Sequence, residues 1–167
     1  MKTAQTNIVI RPAEAGDHAR MDEIRKAAFA PVFASFRSIM GDDIYRLAQE
    51  RDDLAQGQLL TSLLASDSGW QVYVAEADGA VIGFVSVQLR QETKLGEIGL
   101  NAVHPDHAGK GAGTAMYEFA IARMKEAGML AATVGTGGDP SHAPARRAYE
   151  KAGFNAHIPS LWMFRKL

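Results

Sequence analysis

The stretch HPDHAGKGAG, residues 104 to 113, carries glycines at alternate positions, Gly109, Gly111 and Gly113. Without a Cβ, these residues leave the neighbouring backbone N–H groups unobstructed. The run that follows repeats Ala115, Met116, Phe119, Ala120 and Met124 on one helical face and stops at Gly128. A helix N-terminus adds partial positive charge, so turn and helix together form a cradle for a phosphate or pyrophosphate. Two common phosphate loops do not fit. No Gly-x-x-x-x-Gly-Lys-Ser/Thr string exists in the chain. A dinucleotide fingerprint beginning at Gly109 requires Gly or Ala where Thr114 stands, and an acidic residue near Thr136. A tight strand-to-helix turn without a ligand is the plain alternative.

The elements that must position this turn follow from changes in hydrophobic period. NIVIRPA, residues 7–13, alternates as a strand ended by Pro12. Asp17 reads as an N-cap for a first helix carrying Met21, Ile24, Ala28 and Phe29, with Phe33 and Phe36 in a loop after Pro31. The segment from Asp42 to Ala65 has a broken helical period and reads as one or two helices. From Trp70 the period becomes two: QVYVAEA, a turn at Asp78-Gly79, then AVIGFVSVQL, a hairpin signature. A third long strand runs from about Leu95 to His104, with Gly99 marking a bulge. After the Ala115–Met124 helix come a short strand, LAATVGT, and a helix, ARRAYEKAG, closed by Gly153. The end, FNAHIPSLWMFRKL, is β-rich and interrupted at Pro159. This order predicts a mixed α/β (α+β) layout around one sheet.

Length and composition bound the rest. With 167 residues and 47% hydrophobic residues, the chain is expected to form a single domain over residues 1–167. The 18 basic and 19 acidic side chains nearly cancel, against a nucleic-acid partner. The chain has no cysteine, which excludes disulfides, thiolate zinc sites and a cysteine nucleophile, and points to the cytoplasm. The beginning, MKTAQTNIVIRP, lacks an apolar leader core, and no stretch approaches the roughly 20 apolar residues of a membrane span. Neither export nor a membrane partner is expected.

Around the glycine turn the chain resembles the GNAT superfamily of N-acetyltransferases. That family's signature, Gln/Arg-x-x-Gly-x-Gly/Ala, falls on AGKGAG, residues 108–113, with Gly111 and Gly113 in place and Ala108 at the first position. A second family pattern, Asn-x-x-Ala-x-x-x-Tyr-Glu-Lys-x-Gly-Phe, falls on HAPARRAYEKAGF, residues 142–154, with His142 in place of Asn. The resemblance implies a GNAT-type mixed sheet of about seven strands and about four helices, splayed between the fourth and fifth strands.

The same resemblance implies acetyl-CoA as co-substrate, with no metal, and transfer of its acetyl group to a primary amine of a small molecule or peptide. Attack would be direct, in a ternary complex. Asn101, Ala102 and Val103 are expected to pair with the pantetheine arm. Ala108, Gly109, Lys110, Gly111, Ala112, Gly113 and Thr114 are expected around the pyrophosphate, and His142, Ala145 and Tyr149 along the cleft. An alkylamine is largely protonated at neutral pH, so a base is needed. Glu97 is the first candidate, matching a glutamate that some family members carry on this strand. Tyr149 matches the family's proton donor to the departing thiolate. His104 and His107 are expected to shape the loop, and Arg146, Arg147 and Lys151 to reach the 3′-phosphate or form a solvated face.

Acceptor choice is expected among Phe29, Phe33, Phe36, Tyr45, Trp70, Trp162 and Phe164, with Asp42 and Asp43 able to attract a cationic amine. A non-catalytic acyl-CoA-binding module and transfer of a longer acyl group remain open, and a homodimer is a fair expectation for the family.

Overall fold

The hairpin read from the alternation at Trp70 forms β2 (Trp70–Ala77) and β3 (Ala80–Arg90). Asp78 and Gly79, at φ 52° and 77°, make the two-residue turn whose twist suits antiparallel strands. The computed structural model describes residues 7–167, so the beginning of the MKTAQTNIVIRP run, which reads as lacking an apolar core, lies outside the described residues. The remaining elements are β1 (Ile8–Pro12), α1 (His18–Met40), α2 (Asp42–Ala48), α3 (Glu50–Leu63), β4 (Leu95–Val103), α4 (Ala112–Glu126), β5 (Ala131–Val134) and α5 (Ala143–Lys151). The sheet order is β1-β2-β3-β4-β5. Its first four strands pair antiparallel, and β5 lies parallel to β4. None of these helices is long and apolar enough to cross a membrane.

Two apolar layers cover the sheet. On one face Met116, Ala120 and Met124 of α4 and Tyr149 of α5 pack against Val85, Val87 and Ile98. On the other, Met21 and Ile24 of α1 and Leu60 of α3 pack against Val74, Phe84 and Ala102. Gly96 has no Cβ because Met124 fills that space, which draws α4 close to β4.

Four expectations are corrected. The first helix does not stop near Pro31: α1 runs through it to Met40, placing Phe33 and Phe36 on a helix rather than in a loop. Proline's fixed φ is helical, and the N–H it lacks is one bond among many in a 23-residue helix that buries Met21, Ile24 and Val32. Asp17 stands before α1 without capping it by its side chain. Its carboxylate instead accepts the Glu14 N–H at 2.8 Å and pairs with Arg11 at 2.7 Å. The α-helices among the described residues number five, because the 42–65 segment divides at Gln49 (φ −132°) into α2 and α3. Among the described residues the sheet has five strands, not about seven. Past Phe154 the chain forms no strand, with Ile158, Leu161, Trp162 and Met163 exposed and Lys166 paired with Asp43. Pro159 denies that segment a ladder donor.

Candidate active site

The glycine turn has the geometry its residues imply. Gly109 and Gly111 sit at φ 72° and 90°, with nothing within 4 Å of where a Cβ would lie. Glycine is required there for conformation, not for space. Gly111 is the N-cap of α4, and no side chain caps the helix. Ala115 is the first residue whose N–H returns to the helix, reaching the Gly111 carbonyl at 3.0 Å. The N–H groups of Ala112, Gly113 and Thr114 therefore form an open donor row at the positive end of the dipole. Lys110 folds back, its Nζ donating to the Asp106 carbonyl at 2.7 Å. His104 holds the loop's entry, its Nδ1 accepting the Asp106 N–H at 3.3 Å.

The strand feeding this turn is divided. β4 pairs with β5 only from Leu95 to Ile98, against Ala131 to Val134. Beyond Ile98 no strand among the described residues pairs with the β5-side edge of β4, so Asn101, Ala102 and Val103 border an opening in the sheet. A bulge helps make it. Val87 faces Ile98 and Val85 faces Asn101, so Ser86 alone opposes Gly99 and Leu100. Ser86 Oγ donates to the Leu100 carbonyl at 2.9 Å. A Cβ on Gly99 would lie 2.7 Å from Ser86 Oγ and would overlap Trp70.

The bulge also decides which way the polar residues face. Gly96 and Ile98 lie toward α4, so Glu97 lies on the Trp70 side. The extra residue reverses the alternation, and Asn101 comes out on the α4–α5 side. There its Nδ2 donates to the Gly99 carbonyl at 2.9 Å and to Tyr149 Oη at 3.0 Å. Its Oδ1 accepts from Tyr117 Oη at 2.8 Å. The rings of Tyr117 and Tyr149 are 4.7 Å apart. Burial, reinforced by Tyr149, holds the Tyr117 phenol far above the ordinary tyrosine range, so it stays protonated and donates. The Tyr117 donor fixes the amide orientation, with Nδ2 toward Tyr149, whose hydroxyl in turn lies 3.4 Å from Asn101 Oδ1 as a longer second contact.

Glu97 and Tyr149, both expected to handle protons, are thus on opposite faces of β4. The Glu97 carboxylate is engaged by the Arg90 guanidinium. His142 stands at the start of α5, seven residues or about two turns before Tyr149. Ala145 lies between them, packed on the α4-side core. Arg146 turns back to the loop, Nη1 donating to the Gly137 and Asp139 carbonyls at 2.5 and 2.8 Å, while Arg147 and Lys151 are exposed. Trp162 belongs to the exposed terminal segment.

Sequence reasoning singled out neither Tyr117 nor Asp139. Tyr117 reads as one more apolar residue of α4, and only the bulge shows that it meets Asn101. Asp139 accepts from Ser35 Oγ of α1 at 2.9 Å, and from Ser141 and His142. Burial alone would raise its carboxyl, but the hydrogen bonds from Ser141, His142 and Ser35 outweigh burial and hold it well below the ordinary carboxylate value. The signal was the Asp-Pro-Ser-His spacing at 139–142.

Solved structures share this architecture. PaiA N-acetyltransferase from Thermoplasma acidophilum, in complex with coenzyme A, is similar with a TM-score of 0.70 and 19% identity, over 92% of this chain and 93% of that one. A GNAT family acetyltransferase from Brucella melitensis, in complex with acetyl-CoA, gives a TM-score of 0.63 at 23% identity, over 90% and 84%. The ribosomal-protein-S18-alanine N-acetyltransferase from Escherichia coli gives 0.66 at 18%, over 91% and 80%. At these identities the likeness is one of fold. In sequence, the chain is 32% identical over 93 residues to mycothiol acetyltransferase of Streptomyces coelicolor, covering 56% of this chain and spanning only 29% of that relative's length. The model of the acetyltransferase (GNAT) family matches residues 34–154, from within α1 to the end of the α5 turn, and takes in both the glycine turn and the tyrosine helix. The chain belongs to the GNAT acetyltransferase family.

Proposed function

We propose that the protein transfers an acetyl group from acetyl-CoA to a primary amine, by direct attack while both substrates are bound. The observation that carries this reading is the edge of β4 beyond Ile98, unpaired among the described residues, which lies between the open donor row of α4 and the Tyr149 hydroxyl. The N–H groups of Ala112, Gly113 and Thr114 suit the pyrophosphate, and the edge of Asn101 to Val103 suits the amide-bearing pantetheine arm. When bound, the co-substrate supplies an acetyl group already activated as a thioester. The chain's part is then mostly orientation, which is worth several kcal/mol of barrier when the partners are well aligned.

Tyr149 is proposed to protonate the departing thiolate. Asn101 Nδ2 donates to its oxygen at 3.0 Å, which holds the hydroxyl beside the β4 edge. Glu97 is the sequence's candidate for removing the amine's proton, and its use requires Arg90 to release the carboxylate. The absence of cysteine favours direct attack over an acetyl-enzyme and supports placing the protein in the cytoplasm. The acceptor is proposed as a primary amine of a small molecule or peptide. The relatives point both ways, since one bears the name of a mycothiol acetyltransferase and another that of a ribosomal-protein alanine N-acetyltransferase.

Calorimetric titration of CoA, followed by a thiol-release screen with acetyl-CoA against amines and N-terminal peptides, tests the reading. Binding with acceptor-dependent thiol release is expected. Binding without release from any acceptor favours the acyl-CoA-binding module, and indifference to millimolar CoA overturns both.

A further inference from the structure

The loop from β5 into α5 contains a carboxylate–imidazole pair that the mechanism above does not use. His142 Nδ1 is hydrogen-bonded to Asp139 Oδ1, whose other oxygen accepts from Ser35 and Ser141. The ring of Phe36 stacks on the imidazole at 5.9 Å and 26°. Gly137 leaves room for the pair, since a Cβ there would lie 2.7 Å from Asp139 Oδ1 and overlap the imidazole. A carboxylate only accepts, so Nδ1 carries the hydrogen and Nε2 keeps its lone pair. Asp139 and Arg146 are the charged groups against this pair, Arg146 being occupied by two backbone carbonyls. Ser35 and Phe36 from α1, and Ser141, are the pair's neutral neighbours.

Position makes this pair more than a helix cap. β4 and β5 are parallel, so the turn after Val103 and the loop after Val134 emerge at the same end of the sheet. His142 therefore lies toward the end of the sheet where β4 runs on past β5, on the helix that carries Tyr149 and with Phe36 of α1, from the other side of the sheet, stacked on it.

We infer that His142, oriented by Asp139, is the group that takes the proton from the acceptor amine. This rests on the acetyl-transfer reading above. The ammonium N–H bond breaks and an Nε2–H bond forms, giving a neutral amine and an imidazolium whose charge faces Asp139. The nitrogen lone pair then forms the bond to the thioester carbonyl carbon. The C–S bond electrons leave on sulfur, which takes the Tyr149 proton, and the nitrogen's second proton passes to solvent. His142 is a catalytic residue in this scheme and Asp139 a positioning residue. Glu97 is on the Trp70 side of β4, the face away from Tyr149, and its carboxylate is held by Arg90.

The test compares wild type, His142→Gln, Asp139→Asn and Glu97→Gln, with an alkylamine and an arylamine as acceptors. The arylamine is already uncharged at neutral pH and needs no base before attack. His142→Gln is expected to lower turnover of the alkylamine by roughly 100-fold or more, and of the arylamine, measured at the same saturating acetyl-CoA, by less than about tenfold. Imidazole added to His142→Ala is expected to restore part of the alkylamine rate. Nitrogen-15 NMR of histidine-labelled protein, without any ligand, is expected to show His142 as the Nδ1–H tautomer, and Asp139→Asn to lose that preference. An equal loss on both amines, a larger loss from Glu97→Gln, or an Nε2–H tautomer in the wild type overturns the inference. Absence of thiol release by the wild type with every amine overturns the acetyl-transfer reading instead, and the assignment of His142 falls with it.

Discussion

Removing the Asn101 side chain tests whether the tyrosine pair is organised as described. Asn101→Ala deletes the acceptor of the Tyr117 hydroxyl and the donors to Tyr149 and the Gly99 carbonyl. Tyr117 is 5% exposed, so its hydroxyl would be left buried without a partner. A buried orphan of that kind costs about 1–3 kcal/mol. In a chain of this length each kcal/mol lowers the melting temperature by about 2–4 °C. Asn101→Ala should therefore melt lower by about 2–12 °C. Tyr117→Phe alone removes one hydrogen bond and should cost about 1 kcal/mol. Their combination is the decisive case, because with the hydroxyl gone there is no orphan. The double variant should be at least about 0.5 kcal/mol less destabilised than the two single effects added. Urea denaturation of the four proteins at one pH gives the cycle. Additivity within about 0.3 kcal/mol would mean that the two side chains do not interact, and the proposed setting of Tyr149 would lose its support.

Other expectations follow from the same geometry. Gly111→Ala, at φ 90°, should lose about 1–2 kcal/mol of stability and weaken CoA binding, while Gly113→Ala, with 3.9 Å to Tyr117 Cε2, should be far milder; equal costs in urea and calorimetric titrations would contradict the turn. Tyr149→Phe should reduce thiol release by roughly 100-fold with CoA affinity little changed, and a matching collapse of affinity would make Tyr149 a packing residue. Acid should destabilise the protein through Asp17 and Asp139, whose carboxyls lie below their ordinary 3.8 when folded, Asp17 held down first by its hydrogen bond from Arg11. The unfolded chain then takes up protons first, so stability is full above about pH 4 and falls as pH drops below it; Asp139→Asn should flatten that fall in urea melts at stepped pH.

Local chemistry made much of the fold legible. The Asp78-Gly79 turn, the strands on either side and the stop of α4 at Gly128 depend on residues adjacent in sequence. The glycine turn was legible for the same reason, because φ above zero at Gly109 and Gly111 is a property of one residue at a time. Pro31 misled because its local preference was outweighed by burial along α1. The β-rich end misled because a strand needs a partner edge, and pairing at a distance is invisible in one segment's period.

The sequence by itself determined the donor row at the start of α4, the spacing of His142 and Tyr149 on one helix, and the absence of any cysteine nucleophile. Only the tertiary structure decided which of these groups meet. One extra residue at Gly99 and Leu100 turned Asn101 toward Tyr117 and Tyr149 and left Glu97 on the other face. The parallel register of β4 and β5 brought the loop of Asp139 and His142 to the same end of the sheet as the glycine turn, with α1 packed against it. Such encounters join residues up to 104 positions apart, as with Ser35 and Asp139, and depend on pairing register and packing. A single-chain pattern read over one helix or one strand carries no information about them.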